Sequence, residues 1–311
     1  MNSNLAFVFP GQGSQKIGML ADLAAANPLV EETFKEASDV LGYDAWKLIQ
    51  EGEQEDINLT ERTQPLLLTA SVAIWRLWQQ QGGPLPAAMA GHSLGEWSAL
   101  VCAGVVEFTD AVAIVRARGA FMQQAVPVGV GAMAAIMGID DQIVIDACTD
   151  AAQGQIASAV NFNAPGQVVI AGDADAVARA IDICKKAGAK RAVELPVSAP
   201  FHTSLMRPAA DNLAEIVGQT KFSAPQIPVL HNVHAQPEAN PEAIKTLMLE
   251  QIYQPVLWVD CVNGLSSRGA EILIECGPGR VLNGLSKRID RGLTSLATDD
   301  VASLENALTS V

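Results

Sequence analysis

Positive charge is scarce in this sequence. Lys and Arg number 20 against 34 Asp and Glu, a formal net charge of −14. A sequence-independent nucleic-acid binder needs clustered cations for phosphate contacts, so that class is set aside. Histidine is scarcer still, with 4 residues, and no His/Cys/Asp group shows metal-ligand spacing. The 5 cysteines include no CxxC pair, so neither a disulfide framework nor a metal is expected. No apolar run reaches membrane-spanning length. The N-terminus lacks a basic region followed by a long apolar stretch, so no signal peptide is read there. These absences leave a soluble, cytoplasmic protein that acts without nucleic acid or membrane as the expectation. What is abundant is core: 49% of 311 residues are hydrophobic and only 17% charged. That length suits one large domain with an insert.

The apolar run Leu5 to Phe9 stops at Pro10-Gly11-Gln12-Gly13-Ser14, which reads as a buried parallel strand feeding a glycine loop. Pro65 to Gln81 reads as a long buried helix with Pro65 in its first turn. Gly82-Gly83-Pro84 stops it. A weak strand, Ala87 to Ala90, runs into a glycine-flanked serine, and Leu94 to Cys102 follows as a helix. Another helix is expected from about Thr109, with Thr109 as N-cap. Between residues 128 and 198 the rhythm changes to strand, helix, strand, strand, helix, strand. That is the split βαβ order of ferredoxin-like units. The last third returns to α/β alternation. It has a helix over Ser204 to Gly218, a strand at Pro228 to Leu230, a helix from Trp258 and a strand at Glu271 to Ile274. A last helix carries Lys287 and Arg288. The expected architecture is a mainly parallel sheet with helices on both faces, interrupted by an α+β subdomain. The core is assigned residues 1–127 and 199–311.

Four features carry chemistry. Gly91-His92-Ser93-Leu94-Gly95 places a serine between a strand and a helix, as in a nucleophile elbow. With 25 glycines in the chain, an ordinary surface turn explains the same pattern. A serine hydroxyl needs a base, and His92, His202, His231 and His234 are the candidates. His92 adjoins Ser93 and points away from it. His202 follows a Pro-constrained turn and precedes a helix, which suits either a base or a helix cap. Arg118 shares a helical face with Ala111, Val115 and Met122, so it interrupts an apolar stripe. A buried guanidinium needs an anion, either an internal carboxylate or a substrate carboxylate. The loop around Gln12 lacks the remaining signature of a dinucleotide site and is a candidate to supply a backbone N–H to an oxyanion.

Seven stretches, in order along nearly the whole chain, resemble the malonyl-CoA:acyl-carrier-protein transacylases of bacterial fatty-acid synthesis. They are FPGQGSQ (Phe9 to Gln15), GHSLGE (Gly91 to Glu96), RARGAFMQ (Arg116 to Gln123), NFNAPGQVVIAG (Asn161 to Gly172), APFH (Ala199 to His202), QIYQPVLW (Gln251 to Trp258) and ECGPG (Glu275 to Gly279). Trp97 stands where that family often has tyrosine, a change that touches no catalytic position. The resemblance implies an α/β-hydrolase-like core with a ferredoxin-like insert. It implies Ser93 as nucleophile, His202 as base, and the N–H groups of Gln12 and Leu94 as oxyanion hole. It implies Arg118 as holder of the malonyl carboxylate and the Gln251 carbonyl as the group that orients His202. No cofactor is implied. Malonyl-CoA and acyl carrier protein are the implied partners, and a monomer is expected. Because such carrier proteins are acidic, docking needs a local basic patch. Lys185, Lys186, Lys190 and Arg191 form one candidate, and Lys287, Arg288 and Arg291 another.

Overall fold

The computed structural model describes residues 2–197 and 199–311. Among the described residues, nine strands form two sheets. Five of them, β1 (Asn2–Phe9), β2 (Pro86–Gly91), β7 (Val229–Leu230), β8 (Ile272–Glu275) and β9 (Thr294–Ala297), make a parallel sheet in the order β7-β2-β1-β8-β9. The central strand β1 is buried from Leu5 to Phe9 because both faces are covered. Leu5, Phe7 and Phe9 join one apolar core, and Ala6 and Val8 join a second on the opposite face. The expected α/β core is therefore present, with helices on both sides.

The other four strands, β3 (Gly131–Met137), β4 (Ala157–Ala164), β5 (Gln167–Asp173) and β6 (Arg191–Glu194), pair antiparallel in the order β4-β5-β3-β6. That is the ferredoxin-like order. Helices Asp141–Ala152 and Ala174–Lys186 cover one face and share a core with Ala134, Ile136, Val168 and Ile170. The opposite face, through Met133, Ala135, Val169 and Ala171, packs on the main core. Backbone bonds Phe162 N–H to Val256 O (3.0 Å) and Val256 N–H to Val160 O (2.8 Å) tie β4 to the last third of the chain. Ser198, the last residue assigned to the insert by sequence, lies outside the described residues.

Local expectations needed three corrections. The long helix is Thr60–Gln80, so Pro65 is its sixth residue and not in the first turn. The helix tolerates the lost hydrogen bond because sixteen of its residues are buried and tertiary packing outweighs propensity. The helix carrying Arg118 is Phe108–Gln124, with Glu107 at the cap, so Thr109 lies inside it and does not cap it. The stretch from Ser204 opens as a 3₁₀ turn, Ser204–Met206, before the α-helix Arg207–Gln219 begins. No helix among the described residues is long and apolar enough to cross a membrane.

Candidate active site

The loops that leave the C-terminal ends of three neighbouring strands converge on one point. After β1 comes Gln12, after β2 comes Ser93, and after β7 come His231 and Asn232. Crevices at such strand ends are where open parallel sheets bind ligands. Glycine makes the convergence possible. A Cβ at Gly95 would lie 2.0 Å from the Phe9 carbonyl oxygen, and one at Gly91 would lie 1.9 Å from the Gly95 carbonyl carbon. A Cβ at Gly11 would meet the His92 carbonyl oxygen at 2.5 Å. The two loops therefore touch backbone to backbone.

Ser93 sits between β2 and the helix Leu94–Cys102 with φ 51° and ψ −107°. Such a conformation costs a non-glycine residue of order 1–3 kcal/mol and persists only where neighbours hold it. Both of its peptide groups are clamped. Its N–H donates to Asn232 Oδ1 at 2.8 Å, and its carbonyl accepts from Gln251 Nε2 at 2.8 Å. The strain aims Oγ into a small cleft of about 120 Å³ at the helix N-terminus. Gln12, Leu94, Arg118, Phe201 and His202 also line that cleft.

His202 Nε2 lies 2.8 Å from Ser93 Oγ, and its Nδ1 lies 2.8 Å from the Gln251 carbonyl oxygen. A carbonyl only accepts, so Nδ1 carries the hydrogen. Nε2 is then a free acceptor facing the hydroxyl, the tautomer a general base requires. No carboxylate contacts the ring among the described residues. Burial, and then the positive charge of Arg118, push its pKa down to about 3, so the imidazole is neutral at physiological pH. His202 itself has φ 64°, held by a turn in which Thr203 Oγ1 bonds the Pro200 carbonyl at 2.8 Å.

Arg118 is 1% exposed. It reaches the cleft because Gly119 lets its helix approach the start of Thr60–Gln80, where a Cβ would meet Thr60 O at 2.5 Å. Its Nη1 donates to Gln64 Oε1 (2.7 Å), and its Nη2 donates to Gln251 Oε1 (2.9 Å) and Ser93 Oγ (3.3 Å). All three partners are neutral, and Nε has none among the described residues. Burial lowers its pKa to about 10, which still leaves it charged at neutral pH. The internal salt bridge left open as one explanation of Arg118 is not what the structure contains.

Sequence reasoning missed several residues of this cluster. Glu96, Asn232 and His231, which the sequence offered only as a candidate base, are fully buried behind Ser93, as is the Gln251 side chain, for which only the backbone carbonyl was anticipated. Glu96 had one weak signal, an acid three residues after Ser93 in an otherwise apolar helix. Asn232, and Asn163, whose Oδ1 lies 2.7 Å from His92 Nε2, had none, because each acts across more than 70 residues of chain. His92 does turn away from Ser93, toward Asn163 and the Trp258 ring. A larger groove of about 890 Å³ along Ala24–Trp46 has no histidine in its lining and no such constellation.

Known proteins resemble this chain over nearly its whole length. Residues 6–302 match the family model described as the acyl transferase domain. The chain belongs to the acyl transferase family. It is 58% identical over 306 residues to the malonyl CoA-acyl carrier protein transacylase of Escherichia coli K12, covering 98% of this chain and 99% of that protein. The Bacillus subtilis protein of the same name is 44% identical over 309 residues, covering 98% and 96%. An acyl carrier protein S-malonyltransferase structure from Vibrio cholerae superimposes with a TM-score of 0.97 at 59% identity, covering 98% of this chain and 100% of that one. A malonyl-transacylase solved in complex with a type II PKS acyl-carrier protein gives a TM-score of 0.98 at 56% identity, covering 99% and 100%. This acyl transferase is thus similar, end to end, to proteins named for malonyl transfer.

Proposed function

We propose that this acyl transferase moves the malonyl group from malonyl-CoA to the phosphopantetheine thiol of acyl carrier protein, in fatty-acid biosynthesis. The observation that carries the reading is Arg118: a buried cation, 3.3 Å from Ser93 Oγ, whose hydrogen-bond partners are all neutral. It offers a substrate carboxylate the charge partner that the chain withholds.

In the first half-reaction His202 Nε2 takes the Ser93 Oγ proton as Oγ attacks the thioester carbon. The N–H groups of Gln12 and Leu94 hold the oxyanion, and removal of one such donor typically costs about 2.7–4 kcal/mol. The C–S bond breaks, His202 returns its proton to the sulfur, and CoA leaves as a thiol. The malonyl-serine ester remains, with its distal carboxylate on Arg118. In the second half-reaction the carrier thiol gives its proton to His202 and attacks the ester, and Ser93 recovers its hydroxyl. The Gln251 carbonyl orients His202, so no triad acid is required. A serine esterase of the same fold class would instead place a carboxylate on His202.

The catalytic core comprises residues 1–127 and 199–311, and 128–198 form a ferredoxin-like subdomain. The separate antiparallel sheet and its own apolar core support that division. The enzyme acts as a monomer in the cytoplasm. Carrier protein docks on Lys185, Lys186, Lys190 and Arg191, or on Lys287, Arg288 and Arg291, all of which are exposed.

Intact mass after mixing with malonyl-CoA, acetyl-CoA or methylmalonyl-CoA tests the reading. A malonyl adduct that maps to Ser93 and disappears in Ser93→Ala is expected. An adduct on another residue, or equal labelling by acetyl-CoA, would overturn it.

A further inference from the structure

The cation that reads the substrate has a counter-ion, but one held at a distance. Glu96 is wholly buried in the first turn of the helix that follows Ser93. Its Oε1 accepts from His231 Nδ1 at 2.7 Å, and its Oε2 accepts from Asn232 N at 3.0 Å and Gln251 Nε2 at 2.8 Å. Gln251 stands between Glu96 and Arg118. Its Nε2 also donates to the Ser93 carbonyl, and its Oε1 accepts from Arg118 Nη2. A carboxylate and a carbonyl only accept, and a guanidinium only donates, so this amide has one permitted orientation.

We propose that Glu96 is a positioning residue for substrate selection: it balances the charge of Arg118 through the Gln251 amide and thereby leaves the guanidinium fork open for the incoming carboxylate. The proposal rests on the reading of Arg118 as the malonyl anchor. Two physical requirements conflict at such an anchor. A cation this deeply buried needs a nearby negative charge. A carboxylate in direct contact would occupy the donors that the substrate must use. Interposing one neutral amide meets both. The same amide, and Asn232 on the other side, hold the two peptide groups of Ser93, so Glu96 also braces the strained elbow. His231 serves as a clamp on Glu96. Its Nε2 is buried without a partner among the described residues, so the Nδ1 bond to Glu96 alone sets the tautomer.

Two variants of the full chain separate charge from shape. In Glu96→Gln the oxygen can keep Asn232 and Gln251 while the new NH₂ faces His231, which becomes an acceptor. The substrate is then the only counter-ion of Arg118. The KM for malonyl-CoA should fall roughly three- to tenfold, and kcat/KM for acetyl-CoA should fall by a similar factor. A purely structural role would depress both donors alike, and that result would overturn the proposal. The exchange Glu96→Gln with Gln251→Glu keeps net charge and volume but moves the carboxylate onto Arg118. Its malonyl-to-acetyl ratio of kcat/KM should drop about 100-fold, roughly the effect of blocking one charged hydrogen-bonded pair. Damage to the Ser93 clamp cancels in that ratio, so the exchange remains decisive if the single variant melts. An unchanged ratio sinks the proposal. If the wild-type chain shows no malonyl preference that Arg118→Ala can remove, the parent reading fails and this one with it. Wild-type preference with unmoved variants defeats Glu96 alone.

Discussion

Ser93, His202 and Arg118 lie 109 or fewer positions apart in pairs, and each depends on what its neighbours lack. Among the described residues His202 has no acid behind it, and burial and then Arg118 set its basicity. A histidine whose folded pKa is about 3, against about 6.5 unfolded, binds its proton only in the unfolded chain between those values. Its contribution to stability is therefore full above pH 6.5 and is lost as pH falls toward 3. Chemical unfolding of the wild type and His202→Asn across pH 7 to 4 should show a shallower acid loss in the variant. Identical slopes would refute that assignment. Malonyl loading should likewise keep its His202-dependent rate well below pH 6.5, as a pre-steady-state pH profile would reveal. Arg118→Ala removes the one buried cation that faces the cleft. Its kcat/KM for malonyl-CoA should fall by about 30-fold or more, corresponding to 2–5 kcal/mol for truncating a buried charged pair. Acetyl-CoA should suffer far less in the same competition assay. Of these residues the sequence pattern exposed the serine, the interrupted apolar stripe at Arg118 and the scaffolded histidine. The family likeness then supplied their roles.

The elements that present these side chains are held by contact between backbones more than by helix or strand propensity. The turn from β2 into Leu94–Cys102 packs glycine against glycine and against the end of β1. Gly95→Ala puts a methyl group 2.0 Å from the Phe9 carbonyl oxygen, so either β1 or the helix must shift. Stability should drop by about 1–3 kcal/mol or more, and Ser93 labelling should fall further than the melting temperature suggests. Calorimetry with parallel labelling checks this, and a fully active, unshifted variant would contradict it. Strands and helices with a clear period were legible: β1, the helix Leu94–Cys102 and the six elements from β3 to β6. Misread ends have a common cause. Thr60–Gln80 starts before its proline, and Phe108–Gln124 starts without a side-chain cap, because buried faces sustain both helices. The short helices Ala21–Ala26, Ala45–Glu51 and Gln54–Ile57 gave no strong signal, since each buries only one or two residues.

At the scale of the molecule, the proposed function requires a chain of net charge −14 to receive an acidic carrier protein. Lys287 and Arg288 lie in the last turn of Val281–Ile289, and Arg288 also bonds Gln167 of β5, so this patch spans the junction of the two sheets. Lys185 and Lys186 close the helix Ala174–Lys186 on the other sheet. Reversing Lys287, Arg288 and Arg291 to Glu should slow transfer to carrier protein at low salt and spare formation of the malonyl-serine ester. Equal loss in both half-reactions, or no salt-dependent difference from wild type, would rule that patch out. The reversal of Lys185, Lys186, Lys190 and Arg191 is the matched comparison. The sequence alone determined that there is a parallel core with a split βαβ insert, because hydrophobic period and glycine placement are local properties. It also marked Ser93, His202 and Arg118 as candidates, each by its immediate neighbours, and the family likeness suggested their roles. Only the tertiary structure decided that Arg118 meets no carboxylate directly among the described residues, and that Glu96, Asn232 and the Gln251 side chain stand behind Ser93. Those contacts join loops from β2, β7 and the last third of the chain, and no local pattern records which loops a sheet will bring together.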